Sequence, residues 1–256
     1  MAPSWRLLLD LEGRPGWQNM GLDQALLARA ARGERWLRLY RWAPHCLSFG
    51  RHEPALRRYD RQRIEARRLD VVRRPTGGRA VWHAEELTYA VAAPAEPFGG
   101  LRAAYAEIHR MLLDALRSLG VSAGLAPPRA AIGLDAGACF ASPAGGEITA
   151  AGRKLVGSAQ LREGAALLQH GSLLLAGRQS TVQDVTLGSP PLDLALALAD
   201  ITGRAADPGA VAEAVACAAS KRWGGTWERE AADGALLTEA SSHGVRFRSP
   251  AWTWRA

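Results

Sequence analysis

Lysine is nearly missing from this 256-residue chain: of 32 basic side chains only Lys154 and Lys221 are lysine, and the rest are arginine. Cysteine is scarce too. Its three residues, Cys46, Cys139 and Cys217, are odd in number and far apart, which argues against a disulfide framework and for reduced thiols in the cytoplasm. No apolar run reaches the roughly 18 residues that a membrane span requires, so no membrane partner is expected. The apolar stretch Trp5–Leu9 is too short for a secretory signal, and Asp10 and Glu12 interrupt its sequel. Internal repeats and long linkers are also lacking, and residues 1–256 read as a single domain.

What is present is a chain that is 48% apolar, enough to bury a sizeable core, with a net charge of +7. A basic surface suits an acidic partner or nucleic acid. The arginines are spread along the chain instead of forming a stripe with interleaved aromatics, so no nucleic-acid partner is expected.

Apolar spacing predicts helices over Met20–Ala31, Asp60–Leu69, Leu101–Leu119 (ended by Gly120) and Val211–Lys221. Trp36–Tyr40 and Cys46–Phe49 read as a strand pair across a turn at Ala43-Pro44. Asp70–Arg74, Ala80–His83 and Leu87–Val91 read as further strands, and Ala138-Cys139-Phe140 as strand-like. Glu147–Ala150, Arg153–Leu161 and Ala165–Leu175 read as a β-meander, while the tail Ser241–Ala256 has no clear period. Strands and helices mix without strict βαβ alternation, so the expected class is α+β, a mixed β-sheet with flanking helices.

Four segments carry possible chemistry. In Arg73-Arg74-Pro75-Thr76-Gly77-Gly78-Arg79-Ala80-Val81-Trp82-His83, paired glycines after a strand let the backbone approach a ligand, and arginines add fixed charge. Taken alone, it reads equally as a hairpin loop. In Gly152–Gln160, the small residues Gly157, Ser158 and Ala159 leave room for a substrate chain, and Lys154 offers a compact charge that arginine does not. Alone, that segment reads equally as a tight hairpin strand with an exposed lysine. Gln169-His170-Gly171 places a histidine in a strand, with no second histidine or cysteine at metal-ligand spacing. Cys139, like Cys46 and Cys217, reads on its own as a small buried hydrophobe.

Together and in this order, these segments resemble the lipoate-protein ligase A / biotin ligase superfamily. Glu86-Leu87-Thr88-Tyr89 belongs to the match, and Asn19-Met20-Gly21-Leu22-Asp23 and Tyr40-Arg41-Trp42 resemble the family's N-terminal part. The resemblance covers about residues 5–200; residues from about 205 to 256 are poorly matched. Within the superfamily, Ala138-Cys139-Phe140 is similar to the nucleophile segment of the LipM-type octanoyltransferases. In one departure, Ala84 stands where the family often has Asp after the motif histidine, followed here by Glu85 and Glu86.

The resemblance implies a biotin/lipoate ligase catalytic-domain-like fold. It implies an acyltransferase moving octanoyl from acyl carrier protein to a lysine of a lipoyl domain, such as the glycine cleavage H protein. Cys139 would carry the acyl group as a thioester, and the Lys154 ammonium would favour its thiolate. Arg73, Arg74, Thr76, Gly77, Gly78, His83, Gly157, Ser158, Ala159, His170 and Gly171 are the implied substrate-binding residues. No cofactor or metal is implied. ATP and Mg would enter only in a ligase of the same fold, where Lys154 would contact the acyl-adenylate phosphate and Cys139 would be incidental. A lipoyl amidotransferase would share the cysteine chemistry, and a non-catalytic acyl- or protein-binding module is the alternative from a different class.

Overall fold

Alternation along three central strands sorts apolar side chains onto two opposite faces, and that sorting builds the molecule. The computed structural model describes residues 3–127, 146–188 and 195–255. The first part of the chain forms β1 (Ser4–Arg14), α1 (Gly16–Ala30), β2 (Trp36–Trp42), β3 (Cys46–Phe49), α2 (Ala55–Arg58), α3 (Arg61–Ala66), β4 (Asp70–Arg73), β5 (Val81–His83) and β6 (Glu86–Pro94). Then come α4 (Leu101–Ser118), β7 (Gly124–Leu125), β8 (Ile148–Ala150), β9 (Arg153–Lys154), β10 (Val156–Glu163) and β11 (Ala166–Leu174). The last part forms α5 (Ser180–Val185), α6 (Leu198–Thr202), α7 (Pro208–Trp223), β12 (Thr226–Glu230), α8 (Gly234–Arg248) and α9 (Pro250–Thr253).

A six-stranded sheet runs β10-β11-β6-β2-β1-β12. It is mixed: β1 pairs in parallel with β2 and β12, while β2, β6, β11 and β10 pair antiparallel in turn. Successive side chains of a strand point to opposite faces. Leu7, Leu37, Leu39, Leu87, Tyr89 and Val91 therefore fall on one face, where Ile108, Met111 and Leu112 of α4 and Val211 and Val215 of α7 cover them. Leu8, Trp36, Tyr40, Ala90 and Ala92 fall on the other, against Leu22 and Leu26 of α1 and Leu236 and Phe247 of α8. Two three-stranded sheets, β4-β3-β5 and β7-β8-β9, flank the large one. The arrangement is α+β, as expected. Among the described residues no helix is long and apolar enough to cross a membrane.

The connectivity differs from expectation in three places. The expected pair 36–40 and 46–49 does form two strands, but they lie in different sheets: β2 pairs with β6, and β3 with β4 and β5. The turn at Ala43-Pro44 hands the chain from one sheet to the other instead of folding it back. The expected meander is likewise split. β9 pairs with β8 in a small sheet, whereas β10 enters the large sheet beside β11. The step between them is Leu155, which is fully buried in the core under α4. The tail is not irregular but forms helices α8 and α9. It docks α8 on α1 through Gly21, where a Cβ would strike the Ala240 carbonyl. Contact through glycine and alanine leaves only a weak apolar stripe, so the period was hidden.

Cys217 corrects a further expectation. It is exposed, not buried, because α7 turns Val211, Ala212, Val215, Ala216, Ala218 and Ala219 inward and leaves position 217 outside. Cys46 is buried. Burial, with Asp70 beside it, pushes its thiol well above the ordinary range.

Candidate active site

A narrow cavity of about 40 Å³ lies where the 74–83 segment faces the β10–β11 hairpin. Met20, Tyr40, Trp42 and Val81 give it an apolar lining. Arg74, Gly78 and His83 come from one motif segment, Gly157, Ser158 and Ala159 from the second, and His170 and Gly171 from the third. The fold thus brings eight of the sequence-derived residues to one wall system. The register of β10 and β11 explains part of this: Ser158 pairs with Gly171, and Ala159 with His170. Gly171 has no room for a Cβ, which would meet the Gly157 carbonyl and come within 2.7 Å of the Tyr89 ring and 2.8 Å of Ser158 Oγ.

Two histidines of the wall are held by carboxylates. Glu86 Oε1 accepts from His83 Nδ1 at 2.7 Å, and also from Thr88 and Ser172 at 2.5 and 2.9 Å. His83 Nε2 therefore accepts from the Ser48 hydroxyl at 2.7 Å, whose oxygen takes a hydrogen bond from Arg74 at 3.0 Å. Burial lowers the His83 pKa despite Glu86, which keeps the ring a neutral acceptor. Trp42 stacks on it with centroids 3.9 Å apart. His170 repeats the pattern: its Nδ1 meets Asp23 Oδ2 at 2.9 Å and its Nε2 meets the Thr76 hydroxyl at 2.6 Å. Asp23 is itself fixed by Arg38 at 2.9 Å and Tyr40 at 2.9 Å. Glu86 and Asp23 thus orient the two rings.

The two arginines of the first motif part company. Arg74 lines the cavity and clamps its own loop, donating to the carbonyls of Gly77 and Arg79 at 2.9 and 2.6 Å. Arg73 is fully buried and donates to the carbonyls of Gly50, Arg51, Glu53, Thr253 and Arg255. Its guanidinium is spent tying β4 to the C-terminal segment. Burial, with Arg255 nearby, brings its pKa down to about 10.

Lys154 is not the exposed hairpin lysine that its segment alone allows. It is 2% exposed, and its ammonium lies 2.6 Å from Glu147 Oε1. Cys139 lies outside the described residues. A third histidine joins the site from α4: His109, fully buried, meets Ser158 Oγ at 2.8 Å through Nε2 and the Gly146 carbonyl at 2.6 Å through Nδ1. Sequence reasoning missed it, as it missed Glu147 and the roles of Asp23 and Glu86. The signal for His109 was its place on the buried stripe of α4, four residues before Leu113 and three before Leu112. Among the described residues no group of three His, Cys, Asp or Glu side chains is set to hold a metal ion.

The family model of the lipoyl protein ligase A/B catalytic domain matches residues 15–218. The chain is 40% identical over 186 residues to the octanoyltransferase LipM of Moorella thermoacetica, covering 68% of this chain and 66% of that protein. It is 42% identical over 183 residues to the LipM of Symbiobacterium thermophilum, with 68% and 66% covered. The chain therefore matches just under two thirds of the length of these relatives. Among solved structures, a lipoate protein ligase of T. acidophilum with bound lipoic acid superposes with a TM-score of 0.81 at 18% identity, covering 99% of this chain and all of that one. A lipoate-protein ligase A bound with ATP gives 0.76 at 17% identity, covering 99% of each chain. At such identities these two structures establish the fold. With the family model spanning most of its length and relatives at 40% identity or more, the chain belongs to the lipoyl protein ligase A/B catalytic-domain family.

Proposed function

We propose that the protein is an octanoyltransferase of protein lipoylation, taking octanoyl from acyl carrier protein and placing it on a lysine of a lipoyl domain. The observation that carries this reading is Lys154: a buried ammonium, held by Glu147 two residues before the strand that forms the cavity wall. The relatives named octanoyltransferase support the same reaction.

Cys139 is the nucleophile in this reading. A free thiol of pKa about 8.5 is only a few per cent thiolate at neutral pH, and a nearby ammonium lowers it. The thiolate attacks the thioester carbonyl of the donor; a new C–S bond forms, the old one breaks, and the carrier leaves as a thiolate that takes up the proton Cys139 released. The acceptor lysine, as free amine, then attacks the enzyme thioester. A C–N bond forms, the C–S bond breaks, and the proton lost by nitrogen goes to the departing thiolate. Neither step consumes ATP. Backbone amides near Gly77-Gly78 or Ser158-Ala159 stabilise the oxyanion of each tetrahedral intermediate. Met20, Trp42, Val81 and the small Gly157 and Ala159 receive the acyl chain, each buried methylene contributing about 0.8 kcal/mol. The net charge of +7 steers acidic protein partners.

The test is transfer without nucleotide. Protein, octanoyl-acyl carrier protein and an unmodified lipoyl domain are mixed with no ATP, and the mass of the lipoyl domain is followed. Octanoylation at a single lysine is expected. Modification that appears only with free fatty or lipoic acid and ATP would make the protein a ligase.

A further inference from the structure

The C-terminal segment lies beyond residues 15–218, the span of the family match, and it sets two guanidiniums on one indole. Trp252 of α9 is fixed by donating from Nε1 to the Arg73 carbonyl at 2.9 Å. The guanidinium carbon of Arg246, on α8, lies 3.6 Å from the centre of that ring, and that of Arg255 lies 4.1 Å from it. Arg255 also donates to the backbone carbonyl of Arg51, which brings a third cation to the group. All three side chains are half-buried.

Elsewhere in the fold arginines are matched by acids, as Arg29 is by Glu239, Arg178 by Asp200, and Arg222 by Glu107 and Asp114. Among the described residues, Arg51, Arg246 and Arg255 form no ion pair. The acid that acts on Arg246 is Glu163, which is held by Gln24 at 3.0 Å. Burial, and after it the charge of Arg51, hold both Arg246 and Arg255 below the ordinary arginine range. Like charges gathered this way repel one another and weaken the fold. A bound anion relieves that repulsion, and the planar guanidinium fork matches carboxylate and phosphate oxygens.

The group adjoins the loop of the cavity. Arg51 donates its amide to the Thr76 carbonyl at 2.8 Å, and a Cβ on the preceding Gly50 would strike the Gly78 carbonyl. Thr76 in turn meets His170 of the cavity wall at 2.6 Å. The two protein partners of the proposed reaction differ in charge where they react. An acyl carrier protein brings its thioester on an arm rooted in a phosphodiester. A lipoyl domain brings a lysine, which is a cation until it loses its proton. A cationic patch beside the cavity loop attracts the first group and repels the second.

We propose that Arg51, Arg246 and Arg255, gathered at Trp252, form the docking surface for the acidic donor, octanoyl-acyl carrier protein. This rests on the octanoyl-transfer reading and gives the C-terminal helices a part in it. The acceptor uses another surface.

Acyl-enzyme formation is measured with two donors, octanoyl-acyl carrier protein and octanoyl-N-acetylcysteamine, a neutral thioester with no protein attached. Discharge of the isolated acyl-enzyme to a lipoyl domain is measured separately. Arg51→Gln, Arg246→Gln and the double variant keep much of the apolar stem and remove the charge. The double variant is expected to lose about tenfold in kcat/KM with the carrier-bound donor at low salt, a gap that closes as salt rises. Loading from the neutral thioester and discharge should stay at wild-type rates. Arg51→Gln should melt no lower than the wild type, since its charge only repels its neighbours. Wild-type loading by both single variants and the double variant overturns the proposal. An equal fall with both donors, a lower melt for Arg51→Gln, or slowed discharge with loading intact overturns it as well, the last by placing the acceptor on this surface. A wild-type protein that forms no acyl-enzyme from either donor sinks the octanoyl-transfer reading itself, and the proposal with it.

Discussion

Replacing Lys154 with Met should cost stability and activity by separable routes. The Lys154 and Glu147 side chains are 2% and 7% exposed, with nitrogen and oxygen 2.6 Å apart. Removing the ammonium takes a close countercharge from a carboxylate in low dielectric. Breaking a buried pair from one side costs about 3–5 kcal/mol, a large share of the roughly 5–15 kcal/mol that keeps a domain folded. For a chain of this size that is a drop of on the order of 10 °C in melting temperature. Removing both charges is different, because apolar replacement of a whole buried pair is close to neutral. The double variant Lys154→Met/Glu147→Leu should therefore regain most of the loss. Lys154→Arg keeps the charge but forces a larger planar group into a filled site, at about 1–3 kcal/mol. None of the three should transfer octanoyl at a useful rate. The assays are urea unfolding for stability and ATP-free transfer for activity. If Lys154→Met is as stable as the wild type, or the double variant no more stable than the single, the buried pair does not carry the energy assigned to it here. If Lys154→Arg transfers normally, no property peculiar to lysine is in use.

His109 should make stability depend on pH. Its pKa falls from the ordinary 6.5 to about 4 in the fold because burial disfavours the imidazolium. Above pH 6.5 neither state holds the proton and the stability is complete. As pH falls toward 4 only the unfolded chain takes it up, and about 3 kcal/mol is lost across that window. Unfolding free energies at pH 7 and pH 4.5 should differ more in the wild type than in His109→Gln; equal differences would contradict this. Gly171→Ala should destabilise by about 1–3 kcal/mol, since its methyl group collides with the Gly157 carbonyl. A thermal melt identical to wild type would show that the hairpin gives way freely. Arg73→Lys loses most of the donors that reach five carbonyls. It should lower the melting temperature and raise hydrogen exchange at residues 250–255, while turnover measured well below the melt stays within about twofold. Loss of turnover without loss of stability would put Arg73 in substrate binding after all.

Much of this architecture was legible from the periodicity of Leu101–Leu119 and from the short apolar runs that became β2, β3, β4, β6 and β11. The exchange of strands between sheets was not. A strand's own residues say that both of its faces are buried, as in β3, but not which neighbour covers its edge. Leu155 looked like one more residue of a continuous strand because the break there lies in the direction of hydrogen bonding, not in hydropathy. The tail was opaque because α8 packs through Gly244 and Ala240, which leave almost no apolar signature. In the site, the spacing of the three motifs was readable, and the residues that orient them were not. Asp23 and Asn19 are fully buried on a helix that also turns Leu22 and Leu26 inward. Polar groups on such a stripe are the cue that a buried network exists. Arg73 and Arg74 look alike in sequence, but at the end of β4 the first donates to the C-terminal segment and the second to the loop at Gly77 and Arg79.

The central step of the proposed reaction is a covalent acyl group at Cys139 made possible by Lys154. The most direct test is intact mass after mixing with octanoyl-acyl carrier protein in the absence of ATP. The account predicts a single octanoyl adduct, released by hydroxylamine, located at Cys139 by peptide mapping, missing in Cys139→Ser and formed far more slowly in Lys154→Met. Undiminished octanoyl transfer by Cys139→Ser, with no adduct on the wild type, would contradict it.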